Sequence, residues 1–149
     1  MTIPMIKALL DACYQAKRVR ELLPALPNGV TSAYIQYLDK IEHLERQGLR
    51  AKVSDISRML NIPRPGVTRT VKEMVERGYL TKTTSDKDGR ITYLTITEAG
   101  RALSQTYNTQ FFSKLAPLLA NIPEEDAQCT IRTIEKLHQV MSERRITLE

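Results

Sequence analysis

Tryptophan is absent from this 149-residue chain and phenylalanine occurs only twice. The core must therefore rest on Leu, Ile, Val and Met rather than on large rings. Cysteine is scarce as well: Cys13 and Cys129 stand far apart and in no C-x-x-C motif. That excludes a disulfide framework and a thiolate cluster, and both thiols are expected to be small buried hydrophobes. The two histidines, His43 and His138, are isolated, with no H-x-x-x-H spacing, so no metal site is implied. No run approaches the ~20 apolar residues of a membrane helix, and no basic stretch followed by an apolar one opens the chain. A cytoplasmic protein without membrane contact is expected. A Gly-rich phosphate loop, a G-x-S-x-G elbow and paired catalytic carboxylates are all missing. No residues are left to carry a catalytic role, and no cofactor is implied.

The length suits one domain, residues 1–149, able to bury a core without covalent staples. The net charge is +5, and its placement says more than its size. Residues 50–101 hold eleven Lys/Arg against six Asp/Glu, so the whole excess lies in the middle third. A localised basic region is the footprint of a polyanion binder.

Apolar spacing predicts a first helix over residues 5–23, through Met5, Leu9, Cys13, Ala16 and Val19. Pro24, Pro27 and the Asn28-Gly29 pair break it. Thr31 or Ser32 caps a second helix running to about Gln47, with Tyr34, Ile35, Leu38, Ile41 and Leu44 as its apolar positions and Gly48 as its stop. A short third helix spans residues 53–60. Asn61-Ile62-Pro63 interrupts it, and a fourth helix starts near Pro65 with Val67, Val71 and Met74 as its buried stripe. Two short helices joined by a tight turn make a helix-turn-helix. Residues 79–84 and 91–97 read as strands around a polar tip at residues 85–90, and a hairpin in that place is a wing. Thr97 caps a long fifth helix from Glu98 toward Ala120, which Pro117 should kink or end. Ile122-Pro123 and three carboxylates open a sixth. The expected fold is mainly α with a small β-hairpin wing: a winged helix-turn-helix with its supporting helix over residues 30–100. N- and C-terminal dimerisation helices fill residues 1–29 and 101–149.

The block from Val53 through Gly78-Tyr79-Leu80, then Asp88-Gly89-Arg90, then Leu94-Thr95-Ile96-Thr97-Glu98-Ala99-Gly100, resembles the multiple antibiotic resistance regulator family, MarR. With the flanking helices, the resemblance covers nearly the whole chain. It implies a homodimer that sets two recognition helices about one DNA turn apart on a pseudo-palindromic operator. Wings of the family often read Asp-x-Arg-Asp-x-Arg. Here only the second half survives, as Asp88 and Arg90, with Lys87 as the nearby cation.

At 100° per residue from Val67, Thr68 lies about 100° away, Lys72 about 140° and Arg69 about 200°. With Arg64, Pro65 and Gly66, these residues give the helix start cations, a hydroxyl and free backbone N–H groups on its open side. Such a face suits the major groove, where arginine pairs bidentately with guanine, and a helix N-terminus holds phosphate. Glu73 and Glu76 are expected to face away from the deepest contact, or to repel phosphate there. Arg90, oriented by Asp88, is the expected minor-groove residue. Ser54, with Lys52 and Arg58, is a weaker phosphate candidate that would position rather than specify.

The resemblance carries two further implications. Relatives bind small aromatic anions, and Tyr14, Arg18, Tyr34, Tyr37 and His43 are the residues here that would line a cleft for a phenolic effector, unless they are ordinary packing. Peroxide-sensing relatives use an N-terminal cysteine near tyrosines, which makes Cys13 a redox candidate beside the reading of a packed, inert thiol. The expected function is a sequence-specific duplex-DNA-binding transcriptional regulator, a repressor, with release by a small aromatic ligand left open. The alternatives are a winged protein-interaction module and a Cys13-based redox regulator.

Overall fold

In the computed structural model, which describes residues 1–144, 146 and 147, the chain divides into two compact units. One holds residues 26–117; the other combines residues 1–25 with those from 118 onward.

The larger unit is built around α2 (Ser32–Arg46). Its stripe of Tyr34, Tyr37, Leu38, Ile41 and Leu44 is buried. On it pack α3 (Val53–Leu60) and α4 (Arg64–Glu76), which add Ile56, Val67, Val71 and Met74. Burying a side chain of this size contributes about 1.5–3 kcal/mol, so the 3.6-residue stripes dictate which faces turn inward. The expected core composition needs one correction. Tyr34 and Tyr37, each 1% exposed, are among the largest fully buried side chains. With no tryptophan available, tyrosine supplies the bulk.

Gly48 and Gly78 stop α2 and α4 as expected, at φ of 74° and 79°, a region glycine enters without penalty. A small antiparallel sheet follows α4, in the order β1-β3-β2. β2 (Leu80–Thr84) pairs with β3 (Thr92–Ile96) along its full length. β1 (Ala51–Lys52) pairs through Ala51 with Leu94 and through Lys52 with Tyr93. Two residues are too few to show alternation, so the sequence gives no sign of this third strand. On the outer face the Arg50 guanidinium lies 3.9 Å over the Tyr93 ring.

The passage from sheet to helix is tightly fixed. The Thr97 amide donates to the Tyr79 carbonyl at 3.1 Å, and its hydroxyl donates to the Gly78 carbonyl at 2.5 Å. The same hydroxyl accepts the Gly100 amide at 3.1 Å, capping α5 (Glu98–Ser104). Gly100 lies so near the sheet that a β-carbon there would stand 2.2 Å from the Tyr79 carbonyl oxygen.

The expected long fifth helix is not uniform. After α5 the chain widens into a π-helix over Gln105–Gln110, then continues as α6 (Phe111–Leu115) and a 3-10 turn, Ala116–Leu119. Pro117, which has no N–H to donate backwards, accounts for the tightened end. In the π segment Asn108 Nδ2 donates to the α2 carbonyl of Ile35 at 3.1 Å and to Ser104 Oγ at 2.9 Å. Ser104 is fully buried and donates to Glu42 at 2.9 Å. Polar anchoring to α2, rather than apolar rhythm, shapes this stretch.

The other unit contains α1 (Ile3–Glu21), capped by Thr2, and α7 (Glu124–Glu143), opened by Pro123. Neither helix buries a single residue. Cys13 is only half-buried and Cys129 is exposed. The expectation of two buried thiols therefore fails for the protomer, because its terminal helices have no apolar face covered.

The Gly100 contact is backbone against backbone and cannot relax by a rotamer change. Gly100→Ala should destabilise the protein by about 1–3 kcal/mol, read as a lowered urea midpoint at unchanged slope. An unshifted midpoint would contradict the packing described.

Candidate nucleic-acid interface

The turn before α4 is held by side chain and backbone together. Asp55 accepts the Lys52 amide at 3.0 Å and pairs with Arg58 at 2.8 Å, fixing the start of α3. Ser57 Oγ donates to the Ile62 carbonyl at 2.6 Å, and Asn61 takes the left-handed conformation at φ 52°. Pro63 caps α4, with Pro65 in its first turn. The expected supply of free N–H groups there needs correcting. Pro65 has none, and those of Gly66 and Val67 donate to the Pro63 carbonyl at 3.0 and 3.3 Å. The first turn of α4 therefore offers fewer free donors than expected.

Arg64, Pro65, Gly66, Thr68, Arg69 and Lys72 are all exposed on the face opposite Val67 and Val71. Arg69 is 84% and Lys72 71% exposed at the side chain. Each has an acid one turn on: Arg69 Nε lies 3.4 Å from Glu73, and Lys72 Nζ 3.9 Å from Glu76. The two acids flank the cations. Pairs this open contribute only about 0–1 kcal/mol to stability.

At the wing tip, Ser85 Oγ accepts the amides of Lys87 and Asp88 at 3.3 and 3.4 Å. Asp88 Oδ1 accepts both the backbone N–H of Arg90, at 3.0 Å, and its Nε, at 3.2 Å. The Asp88–Arg90 pairing expected from sequence is therefore present, with the Arg90 side chain 90% exposed. Lys87 is exposed beside it.

Between α3, α4 and the wing lies a cleft of about 460 Å³. It gathers Ser54 from α3, Arg64 and Thr68 from α4, and Asp88 and Arg90 from the wing tip. Pro65, Gly66, Arg69, Lys72 and Lys87 lie outside its walls. Lys52, Lys82 and Thr84 join the lining. Lys82 and Thr84 were missed by sequence reasoning. Both follow Leu80 at even spacing on β2, and alternation from that buried residue would have aimed them inward.

The expected effector residues divide differently. Tyr34 and Tyr37 are core side chains and present no surface to a ligand. His43 is exposed and lies 3.3 Å from Gln47. Tyr14 and Arg18 are exposed on α1. No group of three or more His, Cys, Asp or Glu is placed to hold a metal ion among the described residues.

Residues 28–91, which span the helix-turn-helix and most of the wing, match the model of the MarR family. The winged segment of this chain is thus similar to the MarR family. Over 109 residues the chain is 22% identical to an uncharacterised helix-turn-helix-type transcriptional regulator, YdgJ, of Bacillus subtilis (strain 168). That alignment spans 73% of this chain and 64% of YdgJ. Among solved structures, the fold is similar to that of Streptococcus pneumoniae FabT in complex with DNA. The TM-score is 0.64 at 17% identity, over 95% of this chain and 99% of the other. It is also similar to a MepR-like protein complexed with pseudoligands, at a TM-score of 0.69 and 16% identity, over 95% and 97%. At these identities the structural likeness concerns the fold alone. A winged helix-turn-helix fold thus carries the cationic cleft.

One buried group ties this face to the core. Tyr34 donates its hydroxyl to Glu73 Oε2 at 3.4 Å. Burial pushes its pKa above the ordinary 10.0, and the Glu73 carboxylate pushes the same way, while the Arg77 guanidinium opposes them. The folded state therefore binds the Tyr34 proton more tightly than the unfolded chain. Its contribution is complete below about pH 10 and is lost as pH rises through the folded pKa. The urea midpoint of the wild type should fall more steeply above pH 10 than that of Tyr34→Phe. Parallel profiles would show that this phenol does not carry the effect.

Proposed function

We propose that this chain is a sequence-specific, duplex-DNA-binding transcriptional regulator that works as a homodimer in the cytoplasm and represses by covering its operator. The observation that carries the reading is the cleft joining the first turns of α4 to the wing, with one cation-rich wall on each side. A major groove about 12 Å wide admits a helix. With α4 in it, Arg69 and Lys72 face base edges and phosphates, and Arg90 on the wing reaches toward the adjacent minor groove. The sugar-phosphate strand dividing the grooves then runs past Ser54, Arg64, Thr68 and Lys82. The concentration of the entire net charge within residues 50–101 supports this, as does the DNA held by FabT. A protein-interaction module would be expected to carry apolar or acidic residues on the open side of α4, where Arg64, Arg69 and Lys72 stand. Because Tyr34 and Tyr37 are core residues, an aromatic effector gains no support from them.

The homodimer rests on the uncovered helices. Ile3, Met5, Ile6, Leu10 and Val19 on α1, and Ile131, Ile134, Val140 and Met141 on α7, are exposed. Large apolar surface of this kind marks an association site, and a second copy of the chain is the partner that the two-fold DNA reading requires.

Two experiments test the reading. Fluorescence anisotropy with the duplex upstream of its own gene should give an affinity that falls steeply with salt. Arg69→Ala should cost about 1–3 kcal/mol on the preferred sequence and relax base preference, while Lys87→Ala should weaken all duplexes alike. Absence of salt-sensitive duplex binding would sink the proposal. In light scattering the wild type should have twice the protomer mass, and Ile134→Glu should shift it toward monomer. A monomeric wild type would remove the dimer.

A further inference from the structure

The Glu73 carboxylate stands between the core and the exposed face of α4. Its Oε2 is held by the hydroxyl of Tyr34, which is 1% exposed and belongs to α2. Its Oε1 accepts from Arg69 Nε at 3.4 Å. The charge of Arg77, the residue that ends α4, also acts on the Tyr34 hydroxyl. Glu73 is thus fixed from behind, unlike Glu76, whose only described ion pair is with Lys72.

A carboxylate in that position does two things to Arg69. It engages Nε and so restricts the rotamers of a long side chain that would otherwise pay ordering entropy on binding. The bond engages Nε and not the two terminal guanidinium nitrogens, the pair that can bond the O6 and N7 acceptors of a guanine. The carboxylate also opposes close approach of a phosphate to the same guanidinium, since like charges repel. We propose that Glu73, braced by Tyr34, is a positioning residue that commits Arg69 to a base edge and holds it back from phosphate. The inference rests on the DNA reading above and adds to it a determinant of sequence discrimination that contributes no contact of its own.

The test compares wild type, Glu73→Gln, Tyr34→Phe and Arg69→Ala by anisotropy across a salt series. Two probes are used: a duplex recovered by selection from a random pool and its scrambled counterpart. Glu73→Gln should bind the scrambled duplex about three- to tenfold tighter, through the removed repulsion. Its selected-to-scrambled affinity ratio should fall about tenfold, the scale of one base-edge pair. Tyr34→Phe keeps the charge, so its salt slope should match the wild type while its ratio falls about threefold, part of the same base-edge discrimination. In an Arg69→Ala background, Glu73→Gln should leave the ratio unchanged, the non-additivity expected of one coupled pair. Equal tightening on both duplexes with an unaltered ratio would make Glu73 a mere repelling acid and overturn the inference, leaving the regulator reading intact. A wild type that binds no duplex, or prefers none, overturns that reading and the inference together. Should Tyr34→Phe fail to fold, Glu73→Gln alone and in the Arg69→Ala background still decides the matter.

Discussion

Val67, Val71 and Met74 bury one stripe of α4 against α2, and that single act of packing sets the orientation of everything else on the helix. A helix rotated by one residue would turn Thr68 and Lys72 toward the core, at the cost of desolvating a charge. The hydrophobic effect therefore aims the cations without contacting them. The same core receives Leu80 and Leu94 from the sheet, so the wing is set on the same foundation as the helix beside it.

The cations of α4 and those of the wing are prepared in different ways. On α4 the cations have intrahelical acids a turn away, at 3.4 and 3.9 Å. On the wing, Arg90 is oriented by Asp88 through both its backbone and its side chain. Surface pairs contribute little to stability. Their effect here is on geometry, since each reduces the conformations open to a long side chain before anything binds. Composition counts charges, but only the folded chain shows that they arrive already paired.

Much of this arrangement is legible in the sequence. The stripes of α2 and α4, the breaks at Gly48 and Gly78, and the Asp88–Arg90 tip follow from periodicity and local backbone chemistry. What escapes depends on partners remote in sequence. β1 exists because β3 passes beside it, and two residues give no rhythm of their own. The π segment answers to Asn108 reaching the Ile35 carbonyl, a contact across 73 positions. Tyr34 and Tyr37 looked like cleft residues because aromatic rings with hydroxyls suit either setting; burial decided between them. Lys82 was hidden in a Thr-rich strand whose inward face is defined only once Leu80 is seen to be buried. The terminal helices announce their apolar faces plainly, yet neither helix buries a residue within this chain.

The Gly100 contact also has a mechanical side. With no room for a β-carbon against the Tyr79 carbonyl, and with Thr97 tying three backbone groups at the same corner, the junction between β3 and α5 has no slack at which to hinge. Close-packed interiors transmit displacement rather than absorb it. Any tilt imposed on α5 must therefore swing the wing tip as the far arm of a stiff lever.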